Sequence, residues 1–229
     1  MGPKYEFTDL TGDWCGHVLH QIKRLSDGKI GGWVEKEENL SQEGSCWVDG
    51  EAKVYGNAIV SGNAQICNLA EVYNNAKVYG DAVVDMGADV YGNAQVYDNA
   101  KISGDAEVSG NADISGNAVI YDVHIREDVK VSDNATVSRS ILVGDIKIYG
   151  NANVTDSEVW GEAEIYGSAS VINRSKVQDD AKIFDDAKVE HSTILGCAVI
   201  ARGAEVVDST ICGNARIYNE TVNNEKRMN

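Results

Sequence analysis

A six-residue repeat limits the fold of this chain more than any other feature. From Val54 onward the sequence reads VYGNAI, VSGNAQ, ICNLAE, VYNNAK and VYGDAV, with an aliphatic residue at every sixth position and, as a rule, Ala four places later. An α-helix requires a hydrophobic period near 3.6 residues and a half-buried strand a period of 2, so neither element fits. A short strand followed by a corner, repeated many times, does fit. Gly-Asn and Gly-Asp pairs mark the corners, because Gly, Asn and Asp tolerate left-handed backbone angles best.

Shortened repeats indicate the number of sides. Five-residue repeats begin at Val137, Val154, Val189 and Val206. One five-residue and two six-residue repeats separate Val137 from Val154, and the same set separates Val189 from Val206, so each coil has three sides. Val154 and Val189 are two coils apart, with Val171 between them. Stacked Asn side chains at the corners are expected to form hydrogen bonds from coil to coil.

The repeat assigns an inward-facing aliphatic stack to each of three faces. The first face stacks Val48, Ile66, Val84, Ile102, Ile120, Val137, Val154, Val171, Val189 and Val206. The second stacks Val54, Val72, Val90, Val108, Ile125, Leu142, Val159, Val177, Ile194 and Ile211. The third stacks Val60, Val78, Val96, Ile114, Val131, Ile148, Ile165, Ile183, Ile200 and Ile217.

The pattern [LIV]xxx[AS]x over residues 48–217 resembles the hexapeptide repeat of left-handed β-helix proteins of the trimeric acyltransferase type. The run LHQIKRL…GGWVEKEENLSQEGSCWV also resembles repeat proteins of phage and gut bacterial genomes and the bacterial YdcK-like proteins. The resemblance implies a left-handed coil. We therefore predict an all-β chain forming a single-stranded, three-sided, left-handed parallel β-helix of about ten coils with a small N-terminal cap.

The ends of the chain break the repeat. Residues 1–47 are expected to cap the open end of the helix, with short strands or a hairpin, a turn at Asp27-Gly28, and Trp14, Trp33 and Trp47 over the first coil. A small recognition domain is the alternative for this region. Residues 48–217 form the repeat array, and residues 218–229 are expected to be a short polar tail.

Charge and cysteine content restrict the partners and the compartment. The formal net charge of −16 argues against binding to a nucleic-acid backbone or an anionic membrane. The five cysteines are odd in number and show no repeated spacing, so they predict neither a disulfide framework nor a zinc site. The N-terminus lacks an apolar signal-peptide core, and we expect a reduced, cytoplasmic protein without metal or cofactor.

Histidine is the residue on which the resembling acyltransferases rely as a general base. No long insertion interrupts residues 48–217 to form a lid, and His124 and His191 lie four coils apart near one corner. His191 is a weak catalytic candidate, because Ser192 is adjacent and Asp208 lies one coil further on. The alternative is structural: successive coils place charged or polar residues at this corner as a ladder, with small Ser residues lined up beside it.

The outward positions of the third face carry an aromatic and cationic stripe in an acidic protein. The candidate interface or ligand-binding residues on it are Lys77, Tyr79, Tyr97, Lys147, Tyr149, Tyr166, Lys182, Phe184, Arg216 and Tyr218. The second face carries acidic residues at the equivalent positions, so a threefold ring that packs one face against the other is self-consistent. The alternative is an ordinary cross-strand ladder facing solvent.

These observations favour a non-enzymatic scaffold or binding protein, expected to be a homotrimer, phage- or prophage-encoded, that holds a protein or small ligand between protomers. Two alternatives remain open. One is an acyltransferase of the hexapeptide-repeat type, which rests on fold analogy. The other is an acidic DNA mimic or ligand-trapping antagonist of a host defence factor.

Overall fold

The computed structural model describes residues 2–228, and their regular elements are short β-strands and one 3₁₀-helix. Chain contacts divide the protein into two compact units, one ending at Ser115 and the other beginning at Gly116. Within the described residues no helix has the length and apolar character needed to cross a bilayer.

The first unit begins with three longer strands and continues as short repeat strands. Its strands are β1 (Tyr5–Trp14), β2 (His17–Arg24), β3 (Ile30–Val34), β4 (Trp47–Val48), β5 (Lys53–Val54), β6 (Ile59–Val60), β7 (Gln65–Ile66), β8 (Glu71–Val72), β9 (Lys77–Val78), β10 (Val83–Val84), β11 (Asp89–Val90), β12 (Gln95–Val96), β13 (Lys101–Ser103), β14 (Glu107–Val108) and β15 (Asp113–Ile114). The 3₁₀-helix spans Glu37–Asn39, between β3 and β4. Every third repeat strand joins the same parallel sheet, which gives the orders β4-β7-β10-β13, β3-β5-β8-β11-β14 and β6-β9-β12-β15.

The second unit consists of repeat strands throughout. They are β16 (Val119–Tyr121), β17 (His124–Arg126), β18 (Lys130–Val131), β19 (Thr136–Ser138), β20 (Ile141–Gly144), β21 (Lys147–Ile148), β22 (Asn153–Thr155), β23 (Glu158–Gly161), β24 (Glu164–Ile165), β25 (Ser170–Ile172), β26 (Lys176–Val177), β27 (Lys182–Ile183), β28 (Lys188–Glu190), β29 (Thr193–Ile194), β30 (Val199–Ala201), β31 (Glu205–Val207), β32 (Thr210–Cys212), β33 (Arg216–Tyr218), β34 (Thr221–Asn223) and β35 (Lys226–Met228). They again form three parallel sheets, β16 to β34, β17 to β35 and β18 to β33, each taking every third strand.

Three parallel sheets in each unit confirm the predicted three-sided parallel β-helix. Every aliphatic residue assigned to the three inward stacks is buried, with at most 1% of its surface exposed. Each such side chain stabilises the fold by about 1.5–3 kcal/mol before the entropy of ordering is subtracted. The repeated corner Ala residues are buried as well, and where Val129 and Ile146 take the place of Ala they are also buried. The left-handed sense of the coil stays a prediction.

The corners have the predicted chemistry. Most of their Gly residues and many of their Asn and Asp residues have positive φ angles. Asn57, Asn75 and Asn93 donate side-chain hydrogen bonds to the Asn one coil further on, at 3.0–3.2 Å, and Asn117 and Asn134 do the same in the second unit. Gly144 shows how little room remains: a Cβ atom on it would lie 2.1 Å from the carbonyl oxygen of Gly161.

The parallel array is longer than about ten coils. Within residues 2–228 the second face holds five parallel repeat strands in the first unit and seven in the second, one more at each end than the sequence predicted. Strand β3 supplies the first, because Trp33 and Val34 pair in parallel with Lys53 and Val54. Strand β35 supplies the last, and the region expected to be a polar tail contains β34 and β35.

Arg227 occupies the inward register position of β35, opposite Ile211. Its guanidinium donates hydrogen bonds to Glu220 and Glu225, both at 2.9 Å. A charged side chain held by two carboxylates therefore lies where earlier coils have an aliphatic one. Val222 and Ile217, the last inward residues of the other two faces, are still buried.

An antiparallel sheet precedes the repeat strands. Strand β1 pairs with β2 and β2 with β3. The Asp27-Gly28 turn lies between β2 and β3 as predicted, with Gly28 at φ 74°. The turn between β1 and β2 was not predicted; it uses Cys15 and Gly16, both at positive φ.

Of the three tryptophans that were predicted to cover the first coil, Trp47 is buried, and Trp14 and Trp33 contact the outer side chains Lys53 and Glu51 of that coil. Trp47 is 3% exposed, with the Arg24 guanidinium over its ring at 5.1 Å. Trp14 is exposed and Trp33 half-buried, because the register of β3 with β5 places Trp33 beside Lys53 on the outer surface. Tyr5 of β1, Leu19 and Ile22 of β2, and Val34 of β3 are the large side chains that this sheet buries. The division of the chain into cap, array and tail stays a prediction.

We expect a chain that begins at Val48 to aggregate or to form end-to-end filaments. It would lack the buried Leu19, Ile22, Val34 and Leu40, and would expose the backbone groups of β5 that pair with β3. Sedimentation velocity and circular dichroism would show large species with retained β-structure. A chain that begins at Pro3 is the control. Solubility and an unchanged melting temperature of the truncated chain would indicate that residues 1–47 are a recognition domain instead.

Candidate functional site

The predicted aromatic residues of the third face stack on one another. In the first unit the rings of Tyr79 and Tyr97 lie 4.9 Å apart and almost parallel, beside the exposed Lys77. In the second unit Tyr149, Tyr166 and Phe184 form a continuous stack with 4.8 Å between successive ring centroids and 1° between ring planes. We call these second-unit rings the aromatic ladder. Partial burial raises the pKa of Tyr149 and of Tyr166, so both hydroxyls remain protonated hydrogen-bond donors at neutral pH.

The cationic half of the stripe is weaker than the sequence suggested. Glu164 lies between Lys147 and Lys182 in register, and its carboxylate is 3.6 Å from one ammonium and 3.2 Å from the other. The hydrogen bond with Glu164 raises the pKa of Lys182. Lys147, Glu164 and Lys182 therefore carry a combined charge of +1 beside the aromatic ladder. Glu164 was left out of the predicted stripe, although it occupies the same repeat position as Lys147 and Lys182.

Arg216 and Tyr218 stand apart from the aromatic ladder. Ala201 pairs in register with Tyr218 and interrupts the stack between Phe184 and Tyr218. The Arg202 guanidinium instead covers the Tyr218 ring at 5.2 Å. The predicted residues thus form three separate groups, and their part in an interface or a ligand site stays a prediction.

The second face of the first unit carries a second aromatic stack next to a row of carboxylates. The rings of His17, Tyr55, Tyr73 and Tyr91 follow one another at 5.0–5.1 Å. The carboxylates of Glu71, Asp89 and Glu107 stand in register on β8, β11 and β14.

Three donors surround the Glu71 end of the row. Glu71 accepts hydrogen bonds from Tyr55 at 3.0 Å, Trp14 at 3.0 Å and Lys53 at 3.2 Å. Asp89 lies between two carboxylates, and burial followed by the charges of Glu71 and Glu107 raises its pKa to about 6. This acidic surface is therefore suited to contact a cationic one.

We expect the melting temperature of Asp89→Asn to exceed that of the wild type by about 1–3 °C at pH 7.5, and the difference to vanish near pH 4. The pKa of Asp89 is higher in the folded chain than in the unfolded one. Its ionisation therefore costs stability, and this cost appears as the pH rises through about 6. Differential scanning calorimetry at several pH values measures the effect. Asp145→Asn, at an exposed corner, is the charge-matched control, and equal shifts in both variants would contradict the burial argument.

His191 lies at the corner between the first and second faces of the second unit. It has a φ of 47° and a half-exposed side chain whose Nδ1 is 4.0 Å from an oxygen of Asp208. Asp122, Arg139, Asp156, Asn173 and Asp208 occupy the same corner in other coils and also have positive φ. The ladder that the sequence predicted as the alternative to catalysis is therefore present.

The burial and hydrogen bonds of Ser192 indicate a structural role. It is 2% exposed, its hydroxyl donates to the carbonyl of Glu190 at 2.7 Å, and its oxygen accepts the Ser209 amide at 3.0 Å. Ser140, Ser157, Ser175 and Ser209 are buried at the same corner and donate to backbone carbonyls in the same manner. A nucleophile needs access to substrate, and Ser192 lacks it in this arrangement.

Ser192→Ala should destabilise the protein by about 1–3 kcal/mol, because the buried Ser209 amide would lose its acceptor. Chemical denaturation followed by circular dichroism measures the change. The exposed Ser168 provides the control variant Ser168→Ala, which should change the unfolding free energy by less than about 0.5 kcal/mol. Equal stability of both variants would show that the serine stack is not structural.

The corner with His191 is also concave, which sequence reasoning missed. A groove of about 920 Å³ is lined there by Arg139, Ile141, Asp156, Ser157, Glu158, Asn173, Arg174, Ser175, Lys176 and His191. The available signal was one six-residue repeat, Val171–Lys176, in a series of five-residue repeats at this corner.

The described residues contain no group of three or more His, Cys, Asp or Glu side chains placed to hold a metal ion. The five cysteines are all free thiols.

A comparison with known families found a similarity over a short stretch. Residues 52–68, about one coil, match the model of the YdcK β-solenoid repeat. With the three-sided parallel architecture, this match confirms the resemblance to β-helix repeat proteins predicted from the hexapeptide pattern. No curated protein matched the chain.

Proposed function

We propose that this protein is a non-enzymatic β-helical scaffold that assembles as a homotrimer and binds a protein or small ligand between its protomers. The observation that carries the proposal is the aromatic ladder of Tyr149, Tyr166 and Phe184, a flat row of half-buried rings on an outer face. Aromatic residues are enriched in protein interfaces, and exposed apolar surface of this kind marks contact sites.

Charge supports a contact between the third face of one protomer and the second face of the next. A threefold axis parallel to the coil axis places equal coil levels side by side. In the first unit this would bring the exposed Lys77 to the level of Glu71 and Asp89, where burial and the neighbouring carboxylates raise the pKa of Asp89. In the second unit it would bring Trp160, which is 39% exposed, to the level of the aromatic ladder.

The arrangement of polar groups supports binding over catalysis. The serines beside His191 are engaged in backbone hydrogen bonds, and the stacked rings and ion pairs are held in register by the sheets. Five free thiols agree with the proposed reduced, cytoplasmic setting. A phage or prophage origin rests on the resemblance alone.

We expect light scattering at micromolar concentration to give about three times the chain mass of 24.7 kDa. Tyr166→Asp should weaken the trimer at least tenfold, because it places a carboxylate next to Glu164 inside the aromatic ladder. Tyr121→Asp is the matched control, since Tyr121 is 40% exposed on the first face. A wild-type mass equal to that of a single chain, or equal dissociation of both variants, would overturn the proposed assembly.

A further inference from the structure

One corner of the second unit contains an extra residue. In this unit the repeats that run from the first to the second face have five residues, except Val171–Lys176, which has six. Both Asn173 and Arg174 adopt left-handed backbone angles there, at φ 57° and 61°. The Arg174 amide donates to the carbonyl of Asp156 at 2.6 Å, so the additional residue is fixed in the structure.

Arginine is an unfavourable residue for this backbone conformation. A left-handed angle costs a side-chain-bearing residue roughly 1–2 kcal/mol, and Gly or Asn would avoid most of that cost. Two other arginines of the second unit adopt the same angle with an evident partner. Arg139 forms two hydrogen bonds with Asp156, at 2.7 and 3.0 Å, and Arg202 covers the ring of Tyr218.

Arg174 differs from both. Its side chain is exposed and, within the described chain, forms no hydrogen bond, ion pair or ring contact. Strained backbone at a position that packing does not require is a reason to look for function there.

The extra residue lies on the groove at this corner. Arg174, Lys176 and His191 line it together with Arg139. The two carboxylates of the lining are already engaged, Asp156 by Arg139 and Glu158 by Lys176 at 3.1 Å. Arg139, Arg174 and Lys176 thus carry one more positive charge than Asp156 and Glu158, in a concave part of a protein with a net charge of −16. Arg174 acts on Asp156 through its charge, which contributes to lowering the pKa of that carboxyl, but forms no direct side-chain contact with it.

We infer that this groove is a binding site for a small oxyanion, a carboxylate or a phosphate monoester, with Arg174 as its anchor. A guanidinium presents paired N–H donors that match two oxygens of such a group. Lys176 and His191 supply further polar contacts from the same groove. The excess of one positive charge in the groove lining and the acidic remainder of the protein favour a ligand of low charge over a nucleic acid.

The site belongs to one chain and does not depend on the proposed trimer. Its test is a titration of the full-length protein with sodium acetate, and separately with inorganic phosphate, at constant ionic strength. The Nε–H signals of ¹⁵N-labelled arginine report binding, and the Arg174 signal is assigned by its loss in Arg174→Lys. We expect this signal to shift and to saturate below about 100 mM of either anion, in the range of weak small-ligand affinities.

Two glycine variants make the titration decisive. Arg174→Gly should weaken anion binding about tenfold or more, read from the remaining groove signals such as Arg139, while the melting temperature stays equal or rises. Arg202→Gly removes an exposed arginine from the same backbone conformation at another corner and should bind anions as the wild type does.

Three results would overturn the inference. These are a wild-type Arg174 signal that does not saturate, unchanged affinity in Arg174→Gly, and an equal loss of affinity in Arg202→Gly. The mass of the sample, measured in parallel, reports separately on the trimer.

Discussion

Parallel backbone hydrogen bonds between successive coils are the interaction on which the rest of this structure depends. Each repeat strand is only two to four residues long, so it has no stability of its own and is held by the strand before and after it. The pairing is in register, as between Val84 and Ile102 or between Val137 and Val154. Every side chain therefore lies next to the residue that occupies the same position one coil away.

This register explains why the outer surface consists of ladders. Asn stacks on Asn, Tyr on Tyr, and Lys on Glu, at the spacing that the backbone sets. Favourable ladders add hydrogen bonds and ring contacts, while a row of like charges such as Glu71, Asp89 and Glu107 carries a cost that appears in the raised pKa of its central member.

This in-register pairing determines which structural features can be predicted from the sequence. The inward aliphatic stacks, the three sides and the Asn corners follow from the period alone, and the structure confirms them. Residues 30–47 lack the period, so the parallel pairing of β3 with β5 was invisible, as was the outward position of Trp33. The hairpin turn at Cys15-Gly16, between β1 and β2, was not predicted because neither residue is the Asn or Asp typical of such turns. Burial of Asp89 and the groove beside Arg174 depend on how neighbouring side chains crowd together, which a periodic pattern does not specify.

The corner at Asn173 and Arg174 has a consequence for how such a chain can change over time. A coil that carries the extra residue lies there between coils that lack it, yet Val171 pairs with Val189 and Val177 with Ile194 without a shift. Strand pairing between coils is thus independent of the number of residues at a corner, and a length change there has only a local effect. A gene encoding this architecture can gain or lose a codon at one vertex and so acquire a new surface feature while the strands before and after it keep their partners.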